Sequence, residues 1–135
     1  MQTNQNSSMQ NKVNFTVITI VKGREEHLHN LLRGVKRSSL QPDEIRIVAI
    51  DVLPDVSAFH DLPIEVSQIS SKGANLPIAE ARNIGAQNAK FNHLIFLDVD
   101  CIPHPDFFDD IITKGLSHKT LIMGNPHYLE SSIPK

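Results

Sequence analysis

Apolar residues in this chain fall into short runs separated by polar stretches, and the runs follow two different periods. Phe15 to Val21 (FTVITIV) and Ile45 to Ile50 (IRIVAI) are β-branched and almost uninterrupted. Such runs predict strands buried on both faces of a parallel sheet, because a strand with one wet face would alternate. Between them, Leu28, Leu31, Leu32 and Val35 fall at i, i+3, i+4 and i+7. That spacing predicts an amphipathic helix from Glu25 to about Arg37. Glu25 and Glu26 suit its positive start, and Ser38, Ser39 and Pro42 end it. Gly34 inside it costs on the order of 1 kcal/mol relative to Ala.

Val52 to Pro63 carries two prolines and reads as a loop with one helical turn. Ile64, Val66 and Ile69 mark a third, shorter strand at a sheet edge. The polar segment Ser70 to Pro77 (SSKGANLP) ends on a proline suited to the first turn of a helix. That helix, Ile78 to about Lys90, has a buried stripe of small residues, Ala81, Gly85 and Ala89, with Ile78 and Ile84. His93 to Pro105 (HLIFLDVDCIPHP) follows. Its apolar run, Leu94 to Leu97, reads as a fourth strand buried on both faces and ended by Asp98, Val99 and Asp100. Phe107, Phe108, Ile111 and Ile112 form the apolar face of a helix closing at Gly115. Thr120 to Met123 reads as a fifth strand, with an irregular stretch from Gly124 to Lys135. The order βαβ, β, αβ, αβ predicts a three-layer α/β domain with a mostly parallel sheet.

Composition bounds this picture. With 135 residues, 40% apolar and 21% charged, the chain suits one soluble domain, 13–135, behind a disordered tail, 1–12, rich in Gln, Asn and Ser. A net charge of −2 gives no basic excess, so nucleic acid is not an expected partner. No stretch approaches the roughly 20 apolar residues of a transmembrane segment, and the tail lacks the apolar core of a secretory signal. The expected location is cytoplasmic, with peripheral membrane association as the variant. Cys101, the single cysteine, excludes an internal disulfide and reads as a small packed residue.

The chemistry is expected at the end of the fourth strand. In open α/β sheets ligands sit outside the carboxyl ends of the strands. If the strand stays extended there, Asp98 and Asp100 project to the same side. Two close carboxylates repel, and a cation or a hydrogen-bonding ligand relieves them. Nine Asp in 135 residues give about 0.6 Asp-x-Asp triplets by chance, so the pair's place in the fold carries the inference. The other reading is a solvated turn with Asp98 as a cap. Arg82 lies near a helix start, where a cation opposes the helix dipole. Either an anionic ligand holds it there or it pairs at the surface with Glu80 or a loop carboxylate.

Four segments, VITIVKGREEHL, IVAID, AEARNIGAQNA and IFLDVDCIPHPDFF, together resemble the nucleotide-binding half of a family 2 glycosyltransferase with the GT-A fold, over roughly Phe15 to Gly124. The resemblance implies a Rossmann-like GT-A nucleotide-binding domain that takes a nucleoside-diphosphate sugar donor and transfers the sugar to an acceptor the sequence does not identify. It implies that Val21, Lys22 and Gly23 face the base through their backbone. Asp51 would hydrogen-bond the base and Arg82 would lie near the diphosphate. Asp98 would lie by the ribose, and Asp100 would ligate Mg2+ or Mn2+ bridging the phosphates. The first strand leads into VKGREE where the family has a Pro-Thr-Tyr-Asn-like turn. Nothing after Gly124 resembles the acceptor half, so the domain reads as truncated at its C-terminus and no catalytic base is assigned. Glu130 is the only acid there, and His127 reads as a surface residue. The sheet edge beside the fourth strand needs cover from the fifth strand or another molecule, which makes a homo-oligomer the expectation. Two alternatives stand beside this. One is a non-catalytic or partner-dependent nucleotide-binding module. The other is a haloacid-dehalogenase-type phosphatase with Asp98 as nucleophile and Asp100 as acid, a motif that normally ends the first strand.

Overall fold

The computed structural model describes residues 12–73 and 75–114. Its elements are β1 (Phe15–Val21), α1 (Glu25–Lys36), β2 (Glu44–Ile50), β3 (Ile64–Ile69), α2 (Ile78–Asn88), β4 (His93–Phe96) and α3 (Phe107–Lys114), with a 3-10 turn at Ser57–Phe59 between β2 and β3. The four strands form one sheet in the order β3-β2-β1-β4. Every pairing is parallel: Thr16 lies opposite Glu44, Ile18 opposite Phe96, and Ile45 opposite Ile64. The α/β class and the parallel sheet are as the alternation of periods predicts.

Side-chain alternation divides the core into two layers. Phe15, Val17 and Val21 of β1 join Ile45, Ile47 and Ala49 of β2 and Ile95 of β4 on one face. That face is covered by Leu28, Leu31, Leu32 and Val35 of α1, by Phe59, and by Phe108 of α3. The Phe15 and Phe108 rings lie 5.5 Å apart. On the other face Val48 and Ile50 meet Ala81 of α2, with Ile20, Ile69, Ile78 and Ile84 packed around them. The small stripe of α2 works as expected at Ala81 and Gly85. A Cβ at Gly85 would lie 2.6 Å from Ile18 Cγ2 and 3.4 Å from Val48 Cγ2, so the absent side chain sets how closely α2 approaches the sheet. Ala89 departs from the stripe: it follows the helix in extended backbone, at ψ 138°.

β4 departs from expectation in one respect. Only Ile95 of this strand is buried, and Phe96 is 47% exposed. Among the described residues β4 has β1 as its one neighbour. An uninterrupted apolar run does not distinguish a central strand from one whose second face borders a groove. The expected fifth strand at Thr120–Met123, Gly115, Gly124, His127 and Glu130 lie outside the described residues. So does the expected tail apart from Lys12, whose Nζ lies 3.5 Å from Asp43 Oδ1. No helix among the described residues is long and apolar enough to cross a membrane.

One buried charge ties the strands together at their amino ends. Glu44, 2% exposed, accepts hydrogen bonds at Oε1 from Thr16 Oγ1 and from the Lys90 N–H, both at 2.8 Å, and at Oε2 from Arg46 Nε at 2.8 Å. Burial pushes its pKa up, but the Lys90 N–H, the Thr16 hydroxyl and the Arg46 guanidinium outweigh it and hold the carboxyl below its ordinary 4.5. A depressed carboxyl stabilises the fold above its unfolded pKa and loses that contribution as the pH falls below it.

Two stability predictions follow from this packing. Glu44→Gln should cost about 1–3 kcal/mol at pH 7, by leaving buried donors mismatched. In denaturant unfolding that difference should shrink as the pH is lowered below about 4.5. Gly85→Ala should destabilise by about 1–3 kcal/mol through overpacking. In an Ile18→Ala background the added cost should fall, a coupling read from a double-mutant cycle.

Candidate functional site

Because every strand runs the same way, all their carboxyl ends lie along one edge. The chain fills β2 and β3 on one side of β1 and then crosses to place β4 on the other, so the topological switch falls between β1 and β4. Open α/β sheets bind ligands at such a point. A cleft of about 300 Å³ lies there, with Ile18, Ile20 and Phe96 on its walls and Arg24, Arg82, Asp98 and Asp100 as its charged groups. A second cleft of about 230 Å³ is lined by Lys22, Ile50 and Leu76 among others. The two share Ile20, Arg24, Ile78 and Val99. They therefore form one groove across the ends of β4, β1 and β2.

The two acids come together by a route the strand period does not give. β4 ends at Phe96, and Leu97 still donates its N–H to Ile18 O at 3.0 Å. The chain then turns: the Cys101 N–H bonds to Asp98 O at 2.9 Å, with buried Val99 anchoring the turn. Asp98 and Asp100 are both exposed, and their carboxylate oxygens and Cys101 Sγ lie within 4.8 Å of one another. The turn, rather than alternation along an extended strand, creates the cluster. Its far side is braced by α1. A Cβ at Gly34 would lie 2.9 Å from both Ile102 Cγ2 and Pro103 Cδ. Beyond the helix, Ser39 donates its N–H to Pro105 O at 2.8 Å. Gly34 thus costs helix propensity and gains the space that lets the acidic segment close on α1.

The donor set suits a hard divalent ion such as Mg2+ or Mn2+, which takes carboxylate oxygens at about 2.0–2.6 Å, so that two ligands of one ion lie no more than about 5 Å apart. Cys101 adds little to it. Burial, followed by the charges of Asp100 and Asp98, pushes its thiol above the ordinary 9.0. A soft sulfur is also a poor match for a hard divalent ion, which leaves the two carboxylates as the ligands of the set.

Asp51 stands beside the groove, next to Lys22. Its φ of 67° is left-handed, and its N–H continues the ladder to Ile69 O at 2.8 Å. Oδ1 accepts from the Ser71 N–H at 2.8 Å, and Oδ2 accepts from Ser71 Oγ at 2.6 Å and lies 3.0 Å from Lys22 Nζ. Ser71, through its hydroxyl and its N–H, and then Lys22 bring the carboxyl from 3.8 down to about 2. Asp51 lines neither cleft itself but is tied to the groove by Lys22, which does. Val21 is buried toward α1, and Gly23 (φ 65°) forms the turn after β1. Neither lines the clefts; of the expected stretch Val21 to Gly23 the structure brings only Lys22 to the groove. Arg82 lines the groove and makes no ion pair with Glu80 or any other described carboxylate. Two groove groups, Arg24 and Leu76, escape a reading of the sequence, and so does Ser71 beside the groove. Ser71 stands 20 residues from the carboxylate it holds, and nothing local marks it out.

No family model and no curated protein matches the sequence. Solved structures of S. aureus TarS are similar in fold. With TarS 1–349 the TM-score is 0.58 at 21% identity, covering 73% of this chain and 31% of the other. With TarS 1–349 in complex with UDP-GlcNAc it is 0.55 at 20% identity, over 73% and 30%. With the UDP complex it is 0.56 at 21% identity, over the same shares. The likeness is one of fold, and the chain spans about a third of the length of these structures.

The Asp51 cluster carries its own prediction. Ser71→Ala should raise the carboxyl from about 2 toward its ordinary 3.8, because the largest cause of the depression is removed. Titration of the Asp51 carboxyl carbon by NMR reads this directly; an unmoved midpoint would show that Ser71 does not hold it.

Proposed function

We propose that this chain is the donor-binding portion of a glycosyltransferase, taking a nucleoside-diphosphate sugar into the groove across β4, β1 and β2. The observation that carries the proposal is the groove itself. It runs along the carboxyl edge of a parallel sheet, opens at the β1/β4 switch point, and sets arginine and aspartate side chains at one end and, at the other, Lys22 with its partner Asp51 just outside. The likeness to TarS structures that hold UDP-GlcNAc and UDP supports the ligand class.

In this reading the diphosphate lies at the Arg82 end and the base at the Asp51 end. Ile20, Ile50, Ile78 and Leu76, the last 49% exposed, supply an apolar wall for the flat nucleoside. Asp51 remains ionised and accepts only, so it calls for a base that presents an N–H. The backbone from Val21 to Gly23 borders the base, and Asp98 lies by the ribose. Asp100, with Asp98 beside it, holds Mg2+ or Mn2+. A divalent ion there would neutralise the diphosphate and make it a better leaving group. Arg82 contributes fixed positive charge that needs no reorganisation when negative charge builds on the phosphate oxygens.

Calorimetry with UDP and GDP, with and without Mn2+, tests the proposal. Metal-dependent nucleotide binding that disappears in Asp100→Ala is the expected outcome. Binding without turnover of any nucleotide-sugar would favour a non-catalytic module. No nucleotide binding under any condition would leave the fold as the only likeness and sink the functional reading.

A further inference from the structure

Arg24 is the group at the middle of the groove that no resemblance assigns. It lines both clefts, and so lies between the acidic turn and the Lys22–Asp51 pair. Its guanidinium makes no hydrogen bond or ion pair with any described residue, although Glu25 and Glu26 follow it directly in the chain. Its backbone is left-handed, at φ 47°. Among the described residues only Arg24 and Asp51 combine a side chain with positive φ. Both stand at the carboxyl ends of adjacent strands. For an L residue with a long side chain this conformation is strained, and glycine would adopt it freely. Gly23 just before it, at φ 65°, shows that the turn itself is well served by glycine. An arginine at position 24 therefore works against the turn, and what it offers in return is a cation aimed into the groove.

The charges support the same conclusion. Lys22 and Asp51 compensate each other. Of the remaining groups, Arg24 and Arg82 balance Asp98 and Asp100. A divalent ion and the two negative charges of a diphosphate diester then add to zero. Without Arg24 the occupied groove would carry one uncompensated negative charge.

We infer that Arg24 is a phosphate-binding residue of the groove, gripping the diphosphate independently of the metal. The inference rests on the donor-binding reading and extends it to a residue outside the acidic motif. An arginine presents a planar fork of N–H donors to phosphate oxygens, which a lysine does not.

The test compares wild type, Arg24→Gly and Arg24→Lys, with UDP by calorimetry and with uridine by NMR titration, each in Mn2+ and in EDTA. Arg24→Gly is expected to melt at the same temperature as wild type or higher. It is expected to weaken UDP binding about tenfold or more in Mn2+, and to remove what binding remains in EDTA. Uridine, which has no phosphate, should bind all three proteins alike, and Arg24→Lys should recover part of the lost UDP affinity. Unchanged UDP binding in Arg24→Gly would overturn the assignment while leaving the donor-binding reading intact. An equal loss of uridine, or a lowered melting temperature, would overturn it too, by showing that Arg24 shapes the turn. A wild-type protein that binds no UDP under either condition would sink both.

Discussion

Hydrogen bonding of β1 to a parallel neighbour on each side fixes nearly everything else in this molecule. Parallel partners cannot be joined by a tight turn, so the chain must cross over the sheet between them. The crossovers become α1 on one face and α2 on the other, which in turn requires both faces of β1 to be apolar. The same pairing sends every strand end to one edge. Since the chain goes first to β2 and β3 and only then to β4, the connections part beside β1 and leave a crevice between its end and that of β4. The groove follows from how the sheet is wired.

Residues that answer to burial alone were readable in the sequence. The unbroken β-branched run of β1 has no other comfortable home than a sheet interior, and the spacing of Leu28, Leu31, Leu32 and Val35 fits only one face of a helix. The small stripe of α2 was readable at Ala81 and Gly85, because a missing side chain signals close approach. What could not be read depends on partners distant in sequence. Phe96 looks as core-like as Ile95 in a string of letters; its exposure depends on what stands next to β4. Asp98 and Asp100 could be placed at a strand end, but their meeting depends on the Cys101–Asp98 turn and on room made by Gly34. Glu44 looks like an ordinary polar residue ahead of a strand, and its burial is tolerable only because Thr16, Arg46 and Lys90 converge on it.

The molecule also separates regularity from strain. The two core layers consist of ordinary strands and helices with good partners. The departures gather at the groove: two left-handed residues that are not glycine, two like charges on one turn, and two guanidinium groups with no described partner. Local rules broken at one place while the rest of the chain obeys them are what a binding site imposes on a fold.

Helix α1 meets the groove at its head and, at its foot, the segment that leads away from the acids. Its head carries Arg24, and its foot, through Gly34 and Ser39, presses on the segment that follows the acids. Twelve residues at 1.5 Å each make a strut of about 18 Å between them. Its solvent side can vary freely in composition, but its length cannot. Adding or removing one residue would rotate head against foot by about 100°, so insertions that the loop between β2 and β3 could absorb would here put the cation and the acids out of phase.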